Sequence, residues 1–361
     1  MFITFKKLTP LEVATAQFYT QVTIAQQDFK LFTSYDREPV RVTSNGVDFF
    51  MNQCEYQLIS FLKTKRGNFM QVPDFVKCDF PLARCSTLGV GGRADYFTVI
   101  NSSRILTAAY NFAGENQLDV LFLGRGSNIL FSDSGFRGLV MRMNMRQLHY
   151  KFESDEFSVD AGVLVSDVVS LGEQLGFSGF EPFAGLPGTV GGAIYGNAGC
   201  YGGQFWDVVE EVTIFDGEYI KVLKKKSDMF GYRWSIFKDN PNWIIVAAHL
   251  KFEPKDRELV VAETKRIREL RQASQPKHKS VGCIFKNPPD GRSAGKLIHD
   301  CGLKGMQVGQ AMISWEHANF FVNLGGARSS DFIELIKIAK GRVFEKFRIL
   351  LVEEIIMVGE F

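Results

Sequence analysis

The chain has 361 residues, 45% hydrophobic and 23% charged, with a net charge of +2, a composition that fits a globular protein long enough for two or three domains. Its 42 basic and 40 acidic residues are mixed along the chain, which argues against nucleic acid or an anionic lipid surface as partner. The six cysteines (Cys54, Cys78, Cys85, Cys200, Cys283, Cys301) show no CxxC pair and no metal spacing with the five histidines, so they read as reduced thiols of a cytoplasmic protein without a metal site; no apolar run of 18 residues and no secretory leader is seen, so membrane insertion is not expected.

The first 75 or so residues read as a unit of their own. Thr9, Pro10 and Glu12 form a capping box with proline at the first helical position, predicting a helix running towards Asp28. VRVTSNGVDFF follows, where Asn45-Gly46 between alternating apolar positions predicts a β-hairpin. Neither piece carries recognisable chemistry, and an accessory or interaction module is the expectation for it.

From Cys78 onward strand-like and helix-like runs alternate. Ala94 to Ile100 is strand-like, and Ser103 to Asn116 puts Ile105, Leu106, Ala109, Phe112 and Ala113 on one helical face. The apolar run Asp119 to Leu123, a glycine turn at Gly124 to Asn128 and a β-rich run from Gly138 to Met143 come next. Ser166 is the expected cap of a helix with Val168, Val169, Leu171 and Leu175 inward and Gly176 as its stop. Strand-like segments at Glu211 to Phe215, Tyr219 to Leu223 and Trp243 to Phe252 give this part a β-rich half. A boundary is expected near Glu253 to Asp256. Beyond it come a helix from Glu258 to Ala273 and another from Asp331 to about Phe347, the latter capped by Ser330, with Phe332, Leu335, Ile336, Ala339 and Val343 at core spacing. The expected divisions are 1–75, 76–143, 144–254 and 255–361.

Three glycine motifs punctuate the middle: LGVGG (Leu88 to Gly92), GRGSN (Gly124 to Asn128), and GLPGTVGGAIYGNAGCYGG (Gly185 to Gly203), in which eight of nineteen residues are glycine and none is charged. Interleaved apolar residues mark the long stretch as packed, so its glycines are geometric: either a set of turns or a bed where a flat ligand lies against bare amides. GRGSN lacks the third glycine of a Rossmann fingerprint, since position 129 is isoleucine, and a permanent nicotinamide fold is not expected. It offers a nest of amides for a pyrophosphate, or a plain turn. In FGYRWSIFK, Arg233 sits beside Tyr232, as a rigid fork for a carboxylate or as a stacked structural arginine. SVGCIFKNP places Cys283 after a glycine, as a proton donor or as a small apolar filler. VEEIIMVGE heads an apolar strand with Glu353 and Glu354, one of which alternation directs inward.

The ordered series LGVGGRADYF, LGRGSNIL, GLPGTVGGAIYGNAGCYGG, YRWSIFK, GCIFKNP, AGKLIHDCGLKG, HANFFVN and EEIIMVGE resembles the UDP-N-acetylenolpyruvoylglucosamine reductases of bacterial peptidoglycan synthesis, from about Phe80 onward. The resemblance implies an α+β protein in which a two-subdomain FAD-binding module of the vanillyl-alcohol-oxidase type precedes an α+β substrate-binding domain. It implies FAD as bound cofactor, NADPH as co-substrate and a UDP-sugar enolpyruvyl ether as substrate, with no nucleic acid or membrane partner. By the family's pattern Gly91, Gly92, Gly124, Arg125, Gly126, Ser127, Asn128, Gly185, Pro187, Gly188, Thr189, Gly191, Gly192 and Asn197 line the FAD. Arg233 and Glu354 polarise the substrate carboxylate, and Cys283 stands where the family has serine as proton donor, which implies sensitivity to thiol alkylation. Tyr232, Lys286, Asn287, Lys296 and His317 are the candidates for contacting the UDP-sugar. No insertion bearing a clamping tyrosine lies between NAGCYGG and YRWSIFK, so the chain resembles the shorter type. Arg125 departs from the small residue usual at its position. Two rival readings fit parts of the same sequence. Another FAD-linked oxidoreductase of the same fold would need neither GCIFKNP nor the C-terminal glutamate, and a module that had lost its flavin would not need Arg233, Cys283 and Glu354.

Overall fold

The computed structural model describes residues 20–25, 28–33, 40–42, 71–151 and 156–361. The chain divides into two compact units, Met1–Phe69 and Met70–Phe361. In the first, β1 (Thr20–Ala25), β2 (Asp28–Thr33) and β3 (Val40–Val42) form an antiparallel sheet with β2 central. The expected helix thus gives way to a strand at TQVTIA, where four of six residues are β-branched and favour an extended backbone. Val40–Val42 pairs with β2, Lys30 facing Arg41. The capping box at Thr9 and the turn at Asn45-Gly46 lie outside the described residues.

The second unit begins with a four-stranded sheet in the order β4 (Val76–Pro81), β5 (Arg93–Ile100), β8 (Phe136–Met143), β6 (Val120–Leu123). β5 and β6 both pair in parallel with β8, and the crossover that carries the chain from β5 to β6 is α1 (Ser103–Glu115), whose Leu106, Ala109, Phe112 and Ala113 are buried as expected. Period-two alternation gives the sheet two apolar faces. Tyr96, Leu139 and Met141 join one core, which also takes Phe215 and Ile244, while Phe97 and Val140 join another with Phe131 and Val358.

A five-stranded antiparallel sheet follows. Its strands are β9 (Leu148–Lys151), β10 (Glu156–Asp160), β11 (Val209–Phe215), β12 (Ile220–Lys224) and β13 (Ile244–Lys251), ordered β12-β11-β13-β10-β9. Helices α2 (Val165–Leu175), α3 (Val190–Gly196) and α4 (Arg257–Ser274) contribute buried residues to the core on this sheet. Ser166 lies inside α2 and does not cap it; the N–H of Val165 donates instead to the carbonyl of Gly188, 3.2 Å away. Gly176 ends α2 in the left-handed region, but Leu175 is exposed on the last turn.

The remaining elements are α5 (Ala294–Asp300), the small sheet β14 (Gln307–Val308), β15 (Ala311–Ile313), β16 (Phe321–Asn323), and α6 (Ser329–Phe347). All five residues expected inward on α6 are buried. Its cap is not Ser330 but a distant carboxylate: Asp133 accepts the N–H groups of Ser329 and Ser330 at 2.9 and 3.3 Å. Leu88, Val90 and Leu130 are buried in the core of this last region. Finally β17 (Ile356–Val358) pairs in parallel with β7 (Ile129–Phe131), so the strand after Glu354 is stitched to the loop that carries GRGSN.

Candidate active site

Three backbone segments lie side by side and set the chemistry. Cys283 bridges Phe320 and Phe285 bridges Glu353, while the N–H of Glu354 donates to Ile284 and that of Lys286 to Val352, both at 2.8 Å. GCIFKNP is therefore held between HANFF and the C-terminal glutamates. Asn319 clamps it further, accepting from the Phe285 N–H at 2.9 Å and donating to the Phe285 carbonyl at 2.8 Å. The apolar strand expected after the glutamates begins at Ile356, and the two side chains diverge. Glu353 pairs with Lys340 at 2.7 Å, and Glu354 meets Arg233 Nε at 2.6 Å, both partners of that pair being about four-fifths buried. The alternation left open which glutamate turns inward; Glu354 is the one that meets the arginine.

Arg233 reaches Glu354 from an unusual backbone. It is in the left-handed region at φ 54°, a conformation that is strained for a residue with a Cβ, and Lys238 Nζ donates to its carbonyl at 2.8 Å. Its guanidinium lies 5.4 Å from the Tyr232 ring. A Cβ at Gly199 would stand 2.8 Å from Arg233 Nη1, so this glycine of the central stretch makes room for the arginine. Arg233 Nε is buried against Glu354, so the carboxylate of Glu354 holds this edge of the guanidinium.

The electrostatics follow from burial. Desolvation raises the Glu354 carboxyl, opposed by Arg233 and by Lys238 and Lys286. Lys238 is lowered by burial and by Lys286, and raised by Glu354. The Cys283 thiol is pushed up to about 12 by burial and by Glu354, against Arg233, a hydrogen bond from Asn319 and Arg271. The raised value favours the protonated thiol, which suits an acid and argues for slow rather than ready alkylation, since the thiolate is the species that reacts.

Tyr232, Arg233 and Asn287 line a cavity of about 430 Å³ together with Asn197, Gly199, Cys200 and Gly202, and the Asn287 N–H donates to the Tyr232 hydroxyl at 3.1 Å. Lys286 acts electrostatically on Glu354. Neither Lys296 nor His317 lines that cavity. Lys296 is exposed and paired with Asp300 at 2.9 Å one helical turn away, the solvated arrangement usual for an i,i+4 pair. Burial and Lys304 push the His317 imidazole below its ordinary value, and its Nδ1 accepts the Asn319 N–H at 3.2 Å; it shapes the HANFF turn.

The glycine motifs divide their work. A Cβ at Gly91 would lie 2.5 Å from that of Phe131, and the Gly92 N–H donates to Ser132 at 2.8 Å, so these two fit the chain against itself. Gly126 (φ 70°) packs on the Cys85 carbonyl, Gly185 on Arg271, and Gly191 on Ala161. Asn197 is buried, and its amide is spent on Gln204, Gly231 and the Trp206 N–H at 2.9, 2.8 and 3.3 Å; it is a structural junction. Loops also join loops: Ser127 Oγ donates to Pro187 at 3.0 Å and Asn128 to the Glu354 carbonyl at 3.2 Å. Gly124, Arg125 and Thr189 line a second cavity of about 160 Å³ where the two motifs meet, with Gly188 beside Ser127 and Gly192 beside Thr189. That concave, charge-free backbone next to a cationic rim fits a dinucleotide cofactor.

Four contributors were not singled out from the sequence: Gly199, Lys238, Asn319 and Arg271. Lys238 and Asn319 lie within the quoted motifs YRWSIFK and HANFFVN. Arg271 follows Val260, Thr264 and Ile267 at core spacing on α4 and is buried like them, a phase that marks a buried cation on an otherwise charged helix. Its Nε donates to Ala184 at 3.0 Å and its Nη2 to Cys200 Sγ at 3.3 Å.

Residues 94–221 match the family described as FAD binding domain. With that domain feeding a buried arginine–glutamate pair and a protonated thiol, the fold and site define a flavin-dependent oxidoreductase. Residues 275–358 match the family described as UDP-N-acetylenolpyruvoylglucosamine reductase, C-terminal domain. The chain is 35% identical over 295 residues to the UDP-N-acetylenolpyruvoylglucosamine reductase of Rubrobacter xylanophilus, spanning 81% of this chain and 99% of that one. It is 39% identical over 272 residues to the same-named protein of Pseudothermotoga lettingae, spanning 75% and 93%. The crystal structure of the Thermus caldophilus enzyme superposes with a TM-score of 0.67 at 37% identity, covering 77% of this chain and 97% of that one. The chain belongs to the UDP-N-acetylenolpyruvoylglucosamine reductase family.

Proposed function

We propose that this chain carries out its family's reaction, NADPH-dependent reduction of UDP-N-acetylglucosamine enolpyruvate to UDP-N-acetylmuramate for peptidoglycan precursors, with Arg233, Glu354 and Cys283 in the catalytic roles. FAD, when bound, supplies the hydride chemistry between the two substrates. The observation that carries the reading is the convergence of Arg233, Glu354 and Cys283, which come from three distant segments and act on one another electrostatically. Arg233, held in place by Glu354, takes the enolpyruvyl carboxylate and stabilises the negative charge that develops on it as hydride adds to the neighbouring double bond. Cys283 then gives its proton to the adjacent carbon. A thiol held at about 12 surrenders that proton only to a strong base, and the enolate of a carboxylate is one. Tyr232, Asn287 and Lys286 are the groups for the rest of the UDP-sugar. Gly124, Arg125, Gly126, Ser127, Asn128, Pro187, Gly188, Thr189 and Gly192 carry the cofactor, with Gly91, Gly92, Gly185, Gly191 and Asn197 as the packing behind them.

No helix among the described residues is long and apolar enough to cross a membrane. Nucleotide substrates and free thiols at Cys78, Cys85, Cys200, Cys283 and Cys301 support a cytoplasmic setting. The test is a pair of anaerobic half-reactions on the yellow holoenzyme. NADPH should bleach the flavin and the enolpyruvyl ether should restore its colour with formation of the muramate. Restoration by oxygen but not by the ether would overturn the reading.

A further inference from the structure

We propose that Arg125, Arg142 and Arg146 form an anion seat for the adenosine diphosphate half of FAD, a role that rests on the flavoenzyme reading above. The second cavity, about 160 Å³, is lined by these three arginines with Gly124, Met143, Leu164 and Thr189, and no carboxylate is in its wall. Its residues come from both glycine motifs and from the end of β8. Among the described residues none of the three arginines makes an ion pair, whereas Arg93, Arg137, Arg266 and Arg268 each have a carboxylate within 2.8 Å. Arg142 hydrogen-bonds the Cys85 thiol, which is no carboxylate; three guanidinium groups without a carboxylate partner around one concavity repel each other and are best explained by an anionic occupant.

The sequence builds this presentation. Met141, Met143 and Met145 are buried, while Arg142 is half-buried and Arg146 exposed, so the methionines pin the chain to the core, Met143 forming part of the cavity wall between the two arginines. Gly124 completes the seat from below: a Cβ there would stand 2.5 Å from Thr189 Oγ1, so the two loops touch only because position 124 is bare. Arg142 also lies beside Cys85, whose thiol is raised by burial and lowered by that cation. A diphosphate is the fitting ligand because it carries two charges and planar-fork acceptors for more than one guanidinium. The UDP-sugar is assigned to the larger cavity, which shares no lining residue with this one.

The test strips the flavin and titrates the apoprotein with FAD and with riboflavin, which has no phosphate. In Arg142→Ala/Arg146→Ala the FAD dissociation constant should rise about tenfold to a hundredfold, roughly tenfold per charge-assisted contact. Riboflavin affinity should not change, and the salt dependence of FAD binding should flatten. The double lysine variant should recover part of the affinity, and it also carries the test if the alanine protein fails to fold. Equal weakening of FAD and riboflavin would overturn the proposal in favour of a structural role. Unchanged FAD affinity with a raised KM for NADPH would overturn it in favour of the dinucleotide substrate's phosphate. Neither result touches the reductase reading, which fails only if the wild-type holoenzyme does not reduce the enolpyruvyl ether.

Discussion

Cys283 offers the sharpest test of how burial governs this site. With the thiol held at about 12, about one molecule in ten thousand carries the thiolate at pH 8, against roughly a quarter for a free thiol of pKa near 8.5. Iodoacetamide reacts with the thiolate, so alkylation of Cys283 should be slower than that of glutathione by a factor on the order of a thousand. Peptide mapping by mass spectrometry after timed exposure between pH 7 and pH 10 reads this directly. The rate should climb about tenfold per pH unit across the range and show no plateau. The sign of the stability effect is fixed by the same shift. Because the folded value lies above the unfolded one, the protonated thiol's contribution is complete below about pH 8.5 and is lost as pH rises towards the folded value. On the catalytic side, Cys283→Ala should slow reoxidation of the flavin by substrate by about 10²–10⁴, the usual worth of a positioned acid, while reduction by NADPH is untouched and Cys283→Ser keeps appreciable turnover. A rate plateau below pH 9 would refute the reasoning, since Arg233 and Arg271 would then outweigh desolvation; full turnover by the alanine variant would refute the role.

Glu354→Gln removes the charge opposite Arg233 and should lower kcat by about 10²–10³ with the flavin spectrum retained; near-normal kcat would dismiss the pair from catalysis. Asn197→Ala strands the Trp206 N–H and the Gly231 carbonyl and should cost about 2–4 kcal/mol, seen as a lowered urea midpoint, whereas a shift too small to measure would show that its three bonds are replaceable. Lys296→Ala, in contrast, should leave kcat and KM within twofold, because the side chain is 73% exposed and paired with Asp300; a large rise in KM for the UDP-sugar would restore it to the site.

Long periodic elements were readable: the helices at 103–115 and 329–347 announce themselves by apolar spacing, and β5 and β8 by their β-rich runs. Helix starts were less so, because α2 and α6 are capped by Gly188 and Asp133, which belong to other segments, and no local pattern encodes a remote acceptor. The three-residue strands β7 and β17 are too short to carry a period and exist only by pairing with each other. At the site, the order of the motifs located Arg233, Cys283 and Glu354. Composition alone did not reveal that Gly199 clears space for a guanidinium, or that Asn197 is consumed by structural bonds. Motif position does not show that Lys296 pairs with Asp300 or that His317 bonds the Asn319 N–H, because a basic residue in a motif looks the same whatever it faces. Thr20–Ala25 shows β-branched residues prevailing over an upstream capping signal.

The stitching of β17 onto β7 also sets a clock on biosynthesis. Asn128 and Glu354, joined through the Glu354 carbonyl, are 226 residues apart, and at about 5–20 residues per second their synthesis is separated by roughly 10–45 s. Throughout that interval Ile129–Phe131 has been made but its partner strand has not. Its exposed edge and the apolar surface around Phe131, later covered by Val358, are then open to off-pathway pairing. The cofactor bed is among the first parts of this unit to be translated and among the last to be finished, so chaperone dependence and flavin loading should both respond to changes at the far end of the chain.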